Sequence, residues 1–470
     1  MTRFINRVSE LEHLESEYAS DSSTFTVIYG RRRVGKTALI SEFLKDKDNA
    51  IYFLAAEGSE YINKDIYKKQ VSKFIDNPHL ATADVEWFDI FESLAKFKTD
   101  TKKIIVIDEF QYLGMANPAF PSLFNRAWEL VLAKSDVMVI ICGSLINMMM
   151  SQALSYSSPL YGRRTGQIKM KQVDWRFYKE FFPNLSFEDM VLYYSVTGGV
   201  PKYIETFKDS KNVYDAIENK VLNKDSYLYE EPYFLLSKEV SDVGSYFPII
   251  RAIAFGNRKI SDIASALGKK VTDLTTYLKV LIDLDLIERE VPATEDYPER
   301  SKKGLYRLKD YYFSFWFRFV YTNFARLEKG EKDYVMEQIK KSFIVNHVAY
   351  IYEDVCHEKM WELNNSDTWD FHFNKIGRYW DSNTEIDIVA ISVDYSAANA
   401  PRKIILGECK FSKNKKGAGI LNDLKEREQA VLKEVPNGKI VSYVIFSKGG
   451  FTDELIQLAK QDKNIILVCQ

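Results

Sequence analysis

The stretch GRRRVGKT at residues 30–37 carries the residue types that bind phosphate. Gly30 and Gly35 let the chain curl, so that successive backbone N–H groups point inward at phosphate oxygens. Lys36 would reach the β- and γ-phosphates, and the Thr37 hydroxyl would bind Mg²⁺. The stretch fits the pattern G-x-x-x-x-G-K-[ST] in full and predicts an ATP site. The expected nucleotide contacts in this loop are Gly30, Val34, Gly35, Lys36, Thr37 and Ala38.

Two acidic residues follow an aliphatic run in KKIIVIDEF, residues 102–110. Asp108 would hold Mg²⁺ through water, and Glu109 would polarise the attacking water as general base. Two solvated acids after a core strand are the plainer alternative. A phosphate loop alone does not hydrolyse ATP, so we interpret Asp108 and Glu109 as the catalytic part of the site.

A third apolar run, VMVIICGS at residues 137–144, ends in a small polar residue. Ser144 stands where a side chain could sense the γ-phosphate. An ordinary turn residue would satisfy the same pattern. We therefore expect Ser144 to contact the nucleotide, with the turn as the alternative.

A second group of chemically active residues lies in the C-terminal third of the chain. Asp387 lies in the predicted strand 384–392, and Glu408 and Lys410 lie two residues apart in the predicted strand 403–411. Residues two apart in a strand share a face. Asp387 and Glu408 could bind Mg²⁺ through hard oxygens, and Lys410 could stabilise a pentavalent phosphate. An ion pair is the alternative.

The elements that would position these residues alternate along the first part of the chain. Apolar strands at 24–29, 50–56, 102–110 and 137–144 are separated by helical stretches. This alternation predicts a parallel sheet covered on both faces, with the nucleotide at the carboxyl ends of its strands.

The middle of the chain shows a different pattern. Two helices within residues 257–284 precede two short strands joined by the basic loop 298–304, which predicts a winged helix-turn-helix. In a DNA-binding version the loop would contact phosphates, whereas other winged helices bind proteins. Both partners remain open from these residues.

Several segments together resemble a known family. FINRVSEL (4–11), GRRRVGKT, IIVIDEF, CGS and SPLYGRRTGQIKM (158–170) resemble, in order, AAA+ ATPases related to origin-recognition and STAND proteins. The nearest resemblance is to an archaeal and bacterial ATPase family with a winged helix and a C-terminal domain of PD-(D/E)XK nuclease type. It covers nearly the whole chain.

The resemblance implies further site residues. It places adenine contacts at Phe4 and Arg7, and it makes Arg163 or Arg164 the arginine that stabilises transition-state charge. That arginine could act in its own chain or in a neighbour, which would require a homo-oligomer; a solvated basic pair is the alternative. The nuclease resemblance adds a third acid as metal ligand, for which Glu353 is the candidate and Glu358 the alternative.

The same resemblance implies the fold class. We expect an α/β chain with a P-loop AAA+ parallel sheet domain, a helical lid, a winged helix and a C-terminal α/β domain like restriction endonucleases. The expected boundaries are 1–170 for the ATPase core, 171–232 for the lid, 233–310 for the winged helix, 311–340 for an aromatic and charged helical connector, and 341–470 for the nuclease-like domain.

Bulk properties narrow the function classes. The 470 residues carry a net charge of −2, so any nucleic-acid partner must be recognised by local patches. The four cysteines are far apart and predict neither a zinc site nor a disulfide scaffold. The N-terminus lacks the apolar region of a signal peptide, and no apolar run could span a bilayer. These features predict a cytoplasmic protein without a membrane partner.

Two functions fit this sequence. In the first, ATP binding and hydrolysis control DNA binding and Mg²⁺-dependent DNA cleavage. In the second, the chain is a nucleotide-dependent switch of STAND type, whose nuclease-like domain is inactive and binds DNA or protein. The intact Asp387, Glu408 and Lys410 favour the first, whereas the low net charge and a lid segment with Lys202 instead of arginine favour the second.

Overall fold

A computed structural model describes residues 4–240, 242–366, 368–393 and 400–469. The chain divides into two compact units. The first unit comprises Met1–Val173, Val200–Lys202 and Leu235–Ser241. The second comprises Asp174–Gly199, Tyr203–Phe234 and Asp242–Gln470. The division into five domains is finer than this and stays a prediction.

The first unit is built on a five-stranded sheet. Its strands are Thr24–Tyr29 (β1), Ala50–Leu54 (β2), Lys103–Asp108 (β3), Val137–Gly143 (β4) and Gly166–Lys169 (β5). Its helices within 4–173 are Val8–Tyr18 (α1), Lys36–Phe43 (α2), Glu60–Phe74 (α3), Pro78–Thr82 (α4), Trp87–Lys96 (α5), Gln111–Ala116 (α6), Phe120–Leu130 (α7) and Ile146–Met149 (α8). The expected α/β fold with a parallel sheet is confirmed.

The strand order in this sheet is β2-β3-β4-β1-β5, and every neighbouring pair is parallel. All residues of β1, β3 and β4 are buried, because helices cover both faces of a parallel sheet. Carboxyl ends of parallel strands meet at one edge. The loops after β1, β3 and β4 therefore converge at that edge.

The remaining helices are, in chain order, Tyr178–Phe181 (α9), Phe187–Thr197 (α10), Pro201–Phe207 (α11), Val213–Ala216 (α12), Glu231–Glu239 (α13), Val243–Ala254 (α14), Ile260–Leu267 (α15), Val271–Asp283 (α16), Tyr311–Phe315 (α17), Phe324–Glu328 (α18), Lys332–Phe343 (α19), Ala349–Asn365 (α20), Gly419–Glu426 (α21), Glu428–Glu434 (α22) and Asp453–Gln461 (α23). A π turn at Ile344–Val348 joins α19 directly to α20. Within the described ranges no helix combines the length and apolar character needed to cross a membrane.

The second unit contains two sheets in its described part. Ile287–Glu290 (β6) and Leu305–Leu308 (β7) form an antiparallel pair after α15 and α16. The larger sheet has the order β12-β11-β10-β9-β8. Its strands are Lys375–Trp380 (β8), Glu385–Ile391 (β9), Arg402–Lys410 (β10), Gly438–Ser447 (β11) and Ile465–Cys469 (β12). Strands β8 to β10 pair antiparallel, and β10 to β12 pair parallel.

Candidate nucleotide site and C-terminal acidic site

The phosphate loop lies between β1 and α2. Gly30 has a φ of 154° and Gly35 a φ of 95°, which are backbone conformations that residues other than glycine rarely adopt. A Cβ atom on Gly30 would also lie 2.3 Å from the Met170 carbonyl oxygen. Both the curl of the loop and the close passage of the chain after β5 therefore require glycine at residue 30.

Lys36 begins α2 with its side chain folded back over the loop. Its ammonium donates hydrogen bonds to the carbonyl oxygens of Gly30 at 2.7 Å and Arg31 at 2.9 Å. Burial lowers its pKa, since the charged amine is desolvated. The carbonyl oxygens of the loop thus hold the Lys36 ammonium in place. Phosphate oxygens of a bound nucleotide could take over these hydrogen bonds.

Asp108, at the end of β3, accepts two side-chain hydrogen bonds. The Thr37 hydroxyl donates to its Oδ2 at 3.2 Å, and the Tyr52 hydroxyl donates to the same oxygen. Burial and the neighbouring carboxylate raise the pKa of Tyr52. The Thr37 hydroxyl and the Asp108 carboxylate are the hard oxygen donors that Mg²⁺ prefers, so these residues fit the ion that accompanies ATP.

Glu109 has a φ of 53°, which is unusual for a residue with a side chain. The Ser144 hydroxyl donates to its carboxylate at 2.8 Å, and the Gln111 amide donates to it as well. Strained backbone of this kind persists where surrounding contacts fix it, and it clusters at functional sites. Ser144 therefore lies against the predicted general base.

The residues expected at the adenine lie around the phosphate loop. The Arg7 guanidinium donates to the carbonyl oxygens of Val34 at 3.2 Å and of Lys171. Phe4 packs, partly buried, against the core of the first unit. Val34 is buried in that core, while Ala38 is exposed on the first turn of α2.

The predicted arginine pair lies in the segment before β5. Arg163 is about half exposed and forms an ion pair with Glu129 at 2.8 Å. Arg164 has one buried guanidinium nitrogen without a hydrogen-bond partner. The finger role of either residue stays a prediction.

Three further residues of the site were not predicted. Tyr52 and Gln111 contact Asp108 and Glu109, as described, and Glu239 ends α13 within the first unit. Burial raises the pKa of Glu239 to about 7, while Lys36 and nearby arginines oppose that rise. Tyr52 lies inside a strand and Glu239 lies far along the chain from the loop, so no local pattern marks either of them.

Strands β9 and β10 bring together the C-terminal residues. The Lys410 ammonium lies 2.5 Å from the Glu408 carboxylate and 3.8 Å from that of Asp387. The Cys409 backbone N–H donates to Asp387 at 2.8 Å. Burial and the Glu408 charge raise the pKa of Asp387 to about 6. Two carboxylates and one amine thus share one small, mostly buried site.

Additional cations hold the acids of this region. Arg427 lies 3.1 Å from Glu408, and Arg378 lies 2.7 Å from Glu353. Glu353 is close enough to Asp387 for the two charges to interact. Within the described ranges, no group of three or more His, Cys, Asp or Glu side chains could hold a metal ion. The structure therefore joins Glu353 to arginine, and Asp387 and Glu408 to lysine.

Comparisons with known proteins match both regions. An ATPase domain predominantly from Archaea matches residues 4–207, and a family of archaeal and bacterial proteins of unknown function matches residues 316–421. The uncharacterized protein MJECL04 of Methanocaldococcus jannaschii is 39% identical over 389 residues, which cover 83% of this chain and 84% of that protein. The uncharacterized ATP-binding protein MJ0423 of the same organism is 50% identical over 44 residues, covering 9% of this chain and 75% of that protein.

One of the solved structures shares the fold over about two thirds of this chain. The Walker-type ATPase PABY2304 of Pyrococcus abyssi matches with a TM-score of 0.52 and 20% identity. The match covers 67% of this chain and 96% of that chain. At this identity the likeness concerns the fold alone.

Proposed function

The chain belongs to the same family as the M. jannaschii protein MJECL04 and carries the ATPase domain found predominantly in Archaea, and we propose that its ATP cycle controls a C-terminal site that binds and cleaves DNA. The match to the ATPase domain supports nucleotide binding and ATP hydrolysis. The proposal adds the roles of individual residues and the activity of the second unit.

The geometry around Asp108 and Glu109 supports the ATPase roles best. Lys36 would give up its loop carbonyls and bind the β- and γ-phosphates, while Thr37 and Asp108 would hold Mg²⁺. The bound ion supplies charge neutralisation at the phosphates. Glu109 would take the proton of the attacking water, and Ser144 would orient the Glu109 carboxylate.

The arrangement of Asp387, Glu408 and Lys410 supports the second activity. Two close carboxylates repel each other, and a divalent cation would relieve that repulsion. Lys410 already does so in part, and its ammonium could bind a scissile phosphate. The single observation that carries this proposal is the placement of both acids and the lysine on adjacent strands β9 and β10.

We further propose that α15, α16 and the β6–β7 hairpin act as the winged helix that delivers DNA. The outward face of α16 exposes threonines and Lys279, and the loop before β7 carries Lys302 and Lys303. Lys303, however, forms ion pairs with Glu434 at 2.6 Å and Glu295 at 3.1 Å. Phosphate contacts would have to come from Lys302 and Arg300, which are both exposed.

A cleavage assay tests the proposal. Plasmid and linear DNA are incubated with the full chain, Mg²⁺ or Mn²⁺, and with or without ATP. We expect the full chain to cleave DNA and the Glu408→Gln variant to lose this cleavage. Lys36→Ala should alter only the response of cleavage to ATP. Cleavage that survives in Glu408→Gln would rule out the C-terminal site as the nuclease.

A second function is favoured by the ion pairs of the C-terminal site. The pairs of Glu408 with Lys410 and Arg427, and of Glu353 with Arg378, leave few free acid oxygens for metal. A nucleotide-dependent switch that binds DNA or protein without cutting it would tolerate such pairs. ATP hydrolysis without cleavage under any of these conditions would favour this function.

A further inference from the structure

Glu239 is a buried carboxylate in the nucleotide site that the ATPase roles do not use. Glu239 is 7% exposed, and neither of its carboxylate oxygens has a hydrogen-bond partner at normal distance and angle. A carboxylate buried in this way is costly unless it is paired or protonated. Its position therefore needs an explanation.

The cations whose charges act on Glu239 include Lys36, the lysine that phosphate would bind. Lys36 from α2 and the guanidinium groups of Arg31 and Arg32 from the phosphate loop act on its charge, and the Ile146 backbone N–H lies nearby. The carboxylates of Asp108 and Glu109, at and just after the end of β3, also act on the Lys36 charge. A negative charge at residue 239 thus competes with phosphate for the Lys36 ammonium.

The path of the chain places Glu239 in the same unit as the phosphate loop. Glu239 belongs to Leu235–Ser241, which groups with the first unit, whereas the chain before and after this segment belongs to the second. The segment therefore lies in the ATPase unit although its sequence neighbours do not.

We propose that Glu239 is a charge gate of the nucleotide site, which opposes the triphosphate while it is ionised and admits it fully when it is protonated. This inference rests on the proposed ATP site. Burial already holds the Glu239 pKa at about 7. Bound phosphates would raise it further by like-charge repulsion, so binding would take up a proton.

The direction of the pH effect follows from that linkage. The nucleotide-bound state binds more protons than the free state, so affinity falls as the pH rises through about 7. ATP carries more negative charge than ADP. The gate should therefore weaken ATP more than ADP in alkaline solution.

The test measures the affinity of the full chain for fluorescent ATP and ADP analogues with Mg²⁺ at pH 6.5 and 8.5. In the wild type, we expect the ATP affinity to drop by up to about tenfold between the two values. Glu239→Gln should bind ATP about tenfold more tightly at pH 8.5 and lose the pH dependence. Calorimetry in two buffers of different ionisation enthalpy should show proton uptake in the wild type and none in the variant.

Glu57→Gln is the matched control. Glu57 is an exposed carboxylate that forms an ion pair at 3.3 Å with Lys238, the residue before Glu239. Its neutralisation should leave both affinities within about twofold of the wild type, because an exposed charge is well screened.

The outcomes separate this inference from the site on which it rests. If the wild type binds nucleotide, Lys36→Ala abolishes binding, and Glu239→Gln still matches the wild type at both pH values, the gate is overturned. The wild-type pH profile and proton uptake test it even if the variant fails to fold. If the wild type binds no nucleotide, the ATP site fails and the gate with it.

Discussion

The Ser144 hydroxyl donates a 2.8 Å hydrogen bond to the Glu109 carboxylate, and so links the loops that follow the adjacent strands β4 and β3. The Gln111 amide donates a second hydrogen bond to the same carboxylate, so two side chains hold it. The backbone of Glu109 also has a positive φ of 53°. If Glu109 is the general base, as predicted, a carboxylate held in this way needs little reorganisation when water and nucleotide arrive.

Replacement of Glu109, the predicted general base, should separate nucleotide binding from hydrolysis. We expect Glu109→Gln to lower the ATP hydrolysis rate by about 10²-fold or more, since the amide cannot accept the proton of water. ATP affinity should stay near the wild-type value. Phosphate release and fluorescent-nucleotide binding measure the two effects. Ser144→Ala should lower the rate less, and a Glu109→Gln enzyme with full activity would exclude this base.

A methyl group at Gly30 should destabilise the first unit. The new Cβ would lie 2.3 Å from the Met170 carbonyl oxygen, and neither backbone can move away without disturbing β1 or the chain after β5. We expect Gly30→Ala to lower the free energy of unfolding by about 1–3 kcal/mol. Gly58→Ala is the control, because a Cβ there meets no atom within 4 Å. Equal unfolding midpoints for the two variants would contradict this account.

Removal of the Arg378 charge should destabilise the second unit strongly. Arg378 is buried and pairs with three carboxylates, those of Glu290 at 2.8 Å, Glu353 at 2.7 Å and Asp354 at 2.9 Å. We expect Arg378→Met to cost about 3–5 kcal/mol, because these acids would stay buried without their cation. Denaturant unfolding measures the change.

The control for that variant is an exposed ion pair. Arg326 and Glu331 lie 2.6 Å apart, with about half of each side chain exposed. Arg326→Met should change stability by less than about 1 kcal/mol, as exposed pairs contribute little. A similar loss in both variants would show that burial does not set the cost.

The buried His347 should make the chain sensitive to acid. Its ring lies 2.7 Å from the Ser195 carbonyl oxygen, and burial lowers its pKa to about 3. The unfolded chain therefore binds a proton below pH 6.5 that the folded chain does not bind. Stability is lost as the pH falls from 6.5 toward 3, by at most about 1.4 kcal/mol per pH unit from this group.

Comparison with His347→Gln isolates this contribution. The variant should lose less stability than the wild type between pH 6.5 and 4.5, because glutamine does not titrate. His79→Gln, at an exposed position of α4, should follow the wild type. Parallel pH profiles of His347→Gln and the wild type would refute the assignment.

Contiguous patterns made part of the nucleotide site predictable. The segments are the phosphate loop, the acids after β3 and Ser144. Each of these segments directly follows an unbroken apolar strand, and the change to polar residues marks the end of that strand. Tyr52 and Glu239 lie outside such stretches. Their roles depend on pairing of β2 with β3 and on the return of the chain at Leu235–Ser241, which no local periodicity encodes.

The C-terminal site shows the same limit. Strands β9 and β10 were predicted, because both are largely buried and apolar, but β8 was not. Arg378 lies on β8 and takes up the Glu353 carboxylate that was expected to bind metal. The metal role of Glu353 stays a prediction. An ion pair of this kind forms only when the fold brings its partners together.

The position of β1 between β4 and β5 has a consequence for synthesis on the ribosome. Its neighbours, Val137–Gly143 and Gly166–Lys169, are made more than a hundred residues after it. Until both of these strands have left the ribosomal exit tunnel, β1, which leads into Gly30, has no strand to pair with on either side. The newly made chain should therefore acquire affinity for nucleotide late and abruptly, as contacts distant in sequence close slowly.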